Sequence, residues 1–423
     1  MYTNIILLVI TVIFGLYMAY NIGANDVANA IGTSVGSKAI SFKTAIILAA
    51  IFEFLGSILV GGHVSTTIGA KIVYIDNLPD YMVLIKGMIA ALIGASVWLH
   101  IATYLGLPVS TTHSIVGGVI GFGVASLGLS GINWPTVFNI ATSWIFSPII
   151  GGVLSALVFI IIRNGILDTY NPLKKTIKIS PFIIFFASLV SLLVLLFKGL
   201  KNLNINPSFY EALAIGSLIS LIIALIARKL IINFIVKKVN DRDNIEKSEG
   251  YGKQYIIIEK VFMFFQPVTA CLMAFSHGAN DVANATGPVS SIINSFYLKA
   301  IPKNLEVYSW ILIIGAAGIV IGLITYGYKV VKTIGNKITE ITPTRGFSAE
   351  LAASLTLLMG SKLCLPISTT HTIVGAIIGI GFTRGIPALN TTVLKSILSS
   401  WFITLPFTAV LSFLSFILLN YLF

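Results

Sequence analysis

The octapeptide GANDVANA occurs twice, at 23–30 and 278–285, and sets Asp26 beside Asn25 and Asn29, and Asp281 beside Asn280 and Asn284. Carboxylate and carboxamide oxygens are hard ligands, suited to Na⁺ rather than to a soft metal that seeks thiolate or imidazole. Gly23, Gly32, Gly278 and Gly287 bracket the two clusters, and Pro288 follows the second. That punctuation predicts helices that unwind at the motif and free backbone carbonyls to complete two oxygen cages. The plainer reading is that Asn and Asp only hydrogen-bond neighbouring helices. Two identical clusters weigh against it.

A second pair of motifs carries hydroxyls. Pro-x-Ser-Thr-Thr-His spans 108–113 and 366–371, giving Ser110, Thr111 and Thr112 in one copy and Ser368, Thr369 and Thr370 in the other. Ser and Thr are natural N-caps, and a proline at a helix start wastes no backbone donor. A helix N-terminus in low dielectric attracts anions through its free N–H groups and its dipole. Two such termini suit a tetrahedral oxyanion, with Asn25 and Asn280 counted among its donors as well as among the cation ligands. His113 and His371 follow the triplets and either donate to the anion or, the reading preferred, pin the two turns in place.

All five arginines, Arg163, Arg228, Arg242, Arg345 and Arg384, fall at segment ends or in loops. A buried divalent anion cannot stay uncompensated, so cations are expected to enter with it. Glu53 and Glu350 lie in or near apolar runs, and each either binds a coupling ion or pairs with a neighbour. His63, His100 and His277 read as isolated residues in ordinary polar contacts.

The elements that must carry these motifs are membrane helices. Of 423 residues, 56% are hydrophobic and 10% charged, with a mean hydropathy of +0.96. Soluble domains carry about 25% charged residues. Runs of about 20 apolar residues are long enough to cross a bilayer. They are expected at 4–31, 40–62, 82–106, 107–128, 133–162, 180–198, 209–236, 256–295, 304–331, 347–365, 366–384 and 392–422. The first reads as a span rather than a removable signal. The net charge of +12 comes from basic residues between apolar runs, which excludes a nucleic-acid partner and points to a lipid bilayer. Cys271 and Cys364, both in apolar runs and without a CxxC pair, give neither a disulfide framework nor a zinc site.

More than the polar motifs is duplicated. LPVSTTHSIVGGVIGFG at 107–123 matches LPISTTHTIVGAIIGIG at 365–381, and TSWIFSPIIGGVLS at 142–155 has a weaker counterpart in SSWFITLPFTAVLS at 399–412. The chain therefore divides into a first repeat (1–165), central spans with a charged linker (166–255), and a second repeat (256–423). Counting crossings from the basic clusters around 163–178 and 228–238 puts Lys38 and Lys43, and also Lys329, Lys332, Lys337 and Arg345, on the cytoplasmic side. Both termini then lie outside, the linker 237–255 lies inside, and the repeats run in opposite directions. The fold class expected is all-α and polytopic: about twelve spans in two inverted-topology repeats, with broken helices and helical hairpins at the substrate site.

On GANDVANA and P-x-STTH, each present twice, the chain resembles the inorganic phosphate transporter (PiT) family, over roughly 4–160 and 256–422. The resemblance implies a multi-pass plasma-membrane protein that imports inorganic phosphate by symport, with Na⁺ as coupling ion and no other cofactor. H⁺ coupling is the alternative, and a sulfate transporter is less favoured. The resemblance implies phosphate at the two Ser-Thr-Thr tips and makes Asp26 and Asp281 the signature acids, while the oxygen cages of Asp26, Asn29, Asp281 and Asn284 with Asn25 and Asn280 are the expected Na⁺ sites. Glu53 in FEFLGS and Glu350 in SAELAAS match family glutamates, whereas a third glutamate of some members is Met88 here. A homodimer is the assembly left open. An intramembrane hydrolase built on Ser110 or Thr111, His113 and Asp26 is the competing class, but catalysis needs one asymmetric nucleophile–base pair where this chain has two symmetric sites. A passive anion channel would need no cation cages.

Overall fold

In the computed structural model the described residues are 2–194, 196, 207–239, 251–363 and 365–423. Cys364 and most of the charged linker, 240–250, lie outside them. Among the described residues the fold is helical, and the one β-bridge, Val73 with Ile132, lies between helices. The first part of the chain forms α1 (Tyr2–Gly36), α2 (Phe42–Val60), α3 (Gly62–Ala70), α4 (Tyr81–Tyr104), α5 (Thr111–Leu127) and α6 (Trp134–Ile162). The middle supplies α7 (Pro172–Val194) and α8 (Phe209–Val239). The last part forms α9 (Tyr251–Asp281), α10 (Ala283–Leu298), α11 (Ser309–Tyr326), α12 (Tyr328–Lys332), α13 (Pro343–Lys362), α14 (Thr369–Thr383) and α15 (Thr391–Leu422). Starts are set by capping side chains: Ser41 accepts from the Thr44 N–H, Asp80 from Met82 and Val83, Asn133 from Thr136, and Asn390 from Val393.

Helices from the first and last parts of the chain pair with one another. Close approaches of α1 to α11 and to the segment that follows it climb together in number: Tyr20 with Gly322, Val27 with Gly327, Gly36 with Gly335. Those of α2 and α3 to α9 and α10 do the same: Gly56 with Phe275, Gly61 with Val282, Gly69 with Gly287. Meanwhile α4 and α5 form an antiparallel hairpin, Gly87 meeting Phe122 and Gly118 meeting Ala91. That hairpin packs on α15, and α14 packs on α6, where Gly375 meets Pro148 and Gly379 meets Gly152. The crossed packing brings the starts of α5 and α14 to the middle of the molecule.

Several predicted runs divide. The run at 40–62 breaks at Gly61, 304–331 breaks at Gly327, and 256–295 becomes α9 and α10. The run at 180–198 starts earlier, at Pro172. Among the described residues nine helices are long and apolar enough to cross a membrane. With 17 and 15 residues, α5 and α14 span about 26 and 22 Å, less than the ~30 Å hydrocarbon core. Large apolar side chains such as Phe402, 81% exposed, point outward, as a lipid-facing surface requires.

Candidate functional site

The polar motifs meet where the hairpin tips cross. Ser110 and Ser368 cap their own helices, accepting from the backbone N–H of His113 and His371 at 3.2 Å in both cases. Each cap leaves the next two hydroxyls free to face the partner structures. Thr111 donates to Asp26 Oδ2 at 2.8 Å, and Thr369 donates to Asp281 Oδ2 at 2.7 Å. Thr112 donates to the Ile367 carbonyl at 3.3 Å while Thr370 donates to that of Val109 at 3.1 Å. Each tip thus holds the other.

The asparagines complete this mesh. Asn29 donates to Asp26 at 2.8 Å and to Thr370 at 2.9 Å, and Asn284 donates to Thr111 at 3.1 Å. Asn280 donates to Asp281 at 2.7 Å and to the Ile367 carbonyl at 2.8 Å. Asn25 braces the first tip, donating to Thr103 and the Leu107 carbonyl, both at 3.0 Å, and accepting from the Val109 N–H at 3.2 Å. All six hydroxyl residues and all six GANDVANA polar residues are buried. The amide oxygens Asn29 Oδ1 and Asn280 Oδ1 are buried without a hydrogen-bond partner. A buried oxygen left unpaired costs free energy, and a hard cation beside the adjacent carboxylate relieves that cost.

The predicted unwinding does not occur. The first GANDVANA lies inside the unbroken α1, and the second is interrupted only at Val282, whose backbone stays right-handed helical. The flanking glycines serve packing instead. A Cβ on Gly23 would lie 1.9 Å from the Ile319 carbonyl oxygen, and one on Gly278 would lie 2.1 Å from that of Glu53. The oxygens offered to a cation are therefore mainly side-chain oxygens.

His277 is the residue that sequence reasoning missed. Its Nε2 lies 3.0 Å from Asp281 Oδ2 and 3.7 Å from Asp26 Oδ2, and its Nδ1 lies 3.0 Å from Glu53 Oε1. All four side chains are fully buried. None of these approaches has in-line hydrogen-bond geometry, so the contact is electrostatic. Its place immediately before the second GANDVANA was the available signal, although the first copy has Ile22 there. Glu53 belongs to this cluster, but Glu350 does not. Glu350 lies in a separate nest, accepting from Thr33 at 2.5 Å and from Ser34 and Thr269 at 2.6 Å, with Gln266 at 3.5 Å.

His113 and His371 pack against one another and against two tryptophans. Their rings meet edge to face at 4.4 Å, with Trp144 against His113 at 3.7 Å and Trp401 stacked on His371 at 3.6 Å. His371 Nδ1 reaches the Trp144 carbonyl at 3.3 Å, and Trp144 Nε1 donates to the Pro366 carbonyl at 3.2 Å. The weakly duplicated TSW and SSW segments supply these tryptophans.

The sequence profile described as the phosphate transporter family matches residues 22–412. A protein of Chlamydia trachomatis named as a candidate phosphate permease is 41% identical, covering 99% of each chain. One from Haemophilus influenzae with the same description is 42% identical, over 98% of this chain and 97% of its own. A solved structure described as the sodium-dependent phosphate transporter superposes with a TM-score of 0.89 at 39% identity, covering 99% of this chain and all of the other.

Proposed function

Because the chain belongs to the phosphate transporter family, and is a transporter rather than an enzyme, we propose that it imports inorganic phosphate together with Na⁺ by alternating access. The reading rests on one observation: two buried Asp/Asn clusters, each with an unpaired amide oxygen, hold the hydroxyls of two helix starts. Na⁺ binds at Asp26 and Asn29, and at Asp281 and Asn284, with Asn25 and Asn280 shaping both clusters. Once a cation takes the carboxylate, Thr111 and Thr369 no longer need it as acceptor. Their O–H groups, with Thr112, Thr370 and the N-termini capped by Ser110 and Ser368, then turn to phosphate. Cation binding so prepares the anion site, and phosphate in turn offsets the cation charge. The Na⁺ dependence in the solved relative's description accords with this.

The helix pairs between the first and last parts of the chain support two inverted repeats, 1–165 and 256–423, with 166–255 between them. Both termini would lie outside and the 237–255 linker in the cytoplasm of the cell that carries the protein in its plasma membrane. Glu350, in its hydroxyl nest near the end of α1, is a further coupling acid on this scheme, and Glu53 tunes the shared cluster through His277.

One observation favours H⁺ as the coupling ion instead: an imidazole lies among three carboxylates, and a proton needs no amide ligands. Purified protein in liposomes separates the readings. Labelled phosphate is expected to accumulate under an inward Na⁺ gradient at equal pH. Accumulation driven by an inward proton gradient and indifferent to Na⁺ overturns Na⁺ coupling, and sulfate uptake without phosphate uptake overturns the substrate.

A further inference from the structure

Lys329, grouped above with Lys332, Lys337 and Arg345, is half-buried. It lies behind the first hairpin tip. Its Nζ is 4.4 Å from the centre of the Tyr104 ring and 4.9 Å from that of Tyr326, and it donates to the Tyr326 hydroxyl at 3.3 Å. Among the described residues no carboxylate forms an ion pair with it. Lys329 follows just beyond the apolar span Ser309–Tyr326, half-buried and without an acid partner, so its charge is available to an anion. Ring faces offset only part of its charge.

The surroundings point to the ligand. The turn at 103–107 is held on one side by Asn25 of the buried site, through Thr103 and the Leu107 carbonyl. On the other side Thr333, one turn beyond Lys329, donates to the Gly106 carbonyl at 3.2 Å. Tyr104 and Leu105, 66% and 60% exposed, open this turn to the exterior. His100 stacks on Tyr326 with ring centres 5.7 Å apart, and its Nδ1 is buried without a partner. An ammonium, phenol hydroxyls and an unpaired imidazole nitrogen around one exposed turn suit a protonated oxyanion, which both accepts and donates hydrogen bonds. The counterpart of Lys329 in the first repeat is His63, from the spacing that pairs Gly61 with Gly327 and Gly69 with Gly335. The arrangement is therefore not duplicated.

We propose that Lys329, with Tyr104, Tyr326 and His100, forms a second, transient phosphate station on the flank of the first hairpin turn away from Asn25. Phosphate passes between it and the buried site when that turn moves. This rests on the phosphate reading above. A station of this kind raises the local anion concentration and speeds transfer, an effect that weakens with ionic strength.

The test uses the full chain and inorganic phosphate. Acetylation of Lys329 by an amine-reactive ester, followed by mass spectrometry, is expected to slow when phosphate is present. The protection should persist in a Thr111→Ala/Thr369→Ala variant, whose buried site is weakened. In liposomes Lys329→Met should lower uptake at subsaturating phosphate by about tenfold and flatten its dependence on ionic strength, while Lys329→Arg should retain both. Unprotected Lys329 in a protein that transports phosphate overturns the station, whether or not Lys329→Met folds. Wild-type protein that transports no phosphate overturns the underlying reading instead.

Discussion

Thr370, from the second repeat, lies with its hydroxyl 3.1 Å from Asp26 Oδ1 of the first, and Asn29 donates to that same hydroxyl at 2.9 Å. Each Asp/Asn cluster thus meets a hydroxyl from the opposite half of the chain, the second through Asn284, which donates to Thr111. Asp26→Asn and Asp281→Asn each remove a negative charge while keeping the shape, and each is expected to shift the Na⁺ activation curve of phosphate uptake to roughly tenfold higher Na⁺, about 1.4 kcal/mol. Curves that overlay the wild type in both variants would mean that these carboxylates only brace helices.

Thr111→Ala and Thr369→Ala test the anion side. Each removes a donor, and a hydrogen bond to a charged group contributes about 1.5–3 kcal/mol. The phosphate concentration for half-maximal uptake should rise by roughly tenfold or more. Thr111→Ser and Thr369→Ser keep the O–H and should stay near wild type. An alanine variant that folds and keeps wild-type affinity would return these hydroxyls to helix packing.

Much of this site was legible because the chemistry is written twice. Asp26 and Asp281, the hydroxyl triplets and even the weak tryptophan repeat could be found by aligning the chain with itself. What escaped is what breaks the duplication. His277 occupies a position whose counterpart is Ile22, so comparing the repeats pointed away from it, whereas Glu53, whose counterpart is Ile319, stood out as an acid in an apolar run. Lys329 escaped for another reason: a kink at Gly327 carries it back against a turn more than 200 residues away in sequence. The glycines misled most. Their frequency beside the motifs suggested unwinding, yet the same lack of a side chain permits backbone contact between intact helices, and only packing decides between the two.

That packing role makes its own prediction. A Cβ on Gly278 meets the Glu53 carbonyl oxygen at 2.1 Å and its carbon at 2.8 Å, atoms that move only if α2 moves. Gly278→Ala is expected to lower the thermal unfolding midpoint in detergent and to abolish uptake, since overpacking of this kind costs about 1–3 kcal/mol or more. Gly62→Ala is the control, because nothing lies within 4 Å of the added carbon. Equal midpoints in the two variants would show that α2 and α9 are not locked together.

The buried His277–Glu53 contact gives the last prediction. Its counterpart in the other half, Ile22 and Ile319, is wholly apolar and equally buried, so the fold accommodates both chemistries at this place. Removing one member of a buried ion pair leaves a charge uncompensated, at a cost of about 3–5 kcal/mol, whereas replacing both members by apolar residues is often near neutral. His277→Ile, which leaves Glu53 as well as the aspartates without a partner, is therefore expected to destabilise the protein more than the double variant does, whereas Glu53→Ile leaves His277 beside Asp281 and should cost less than either. His277 also faces Asp281 at 3.0 Å and Asp26 at 3.7 Å, so the double variant leaves two aspartates without their neighbouring imidazole. Added Na⁺ should then stabilise the double variant by a larger rise in unfolding midpoint than it gives the wild type, because a cation would take over that compensation. Thermal unfolding in detergent with Na⁺, and with an equal concentration of choline, measures both expectations. Additive losses from the two single changes, with equal Na⁺ responses in the wild type and the double variant, would show that His277 neither pairs with Glu53 nor shares the cation's role.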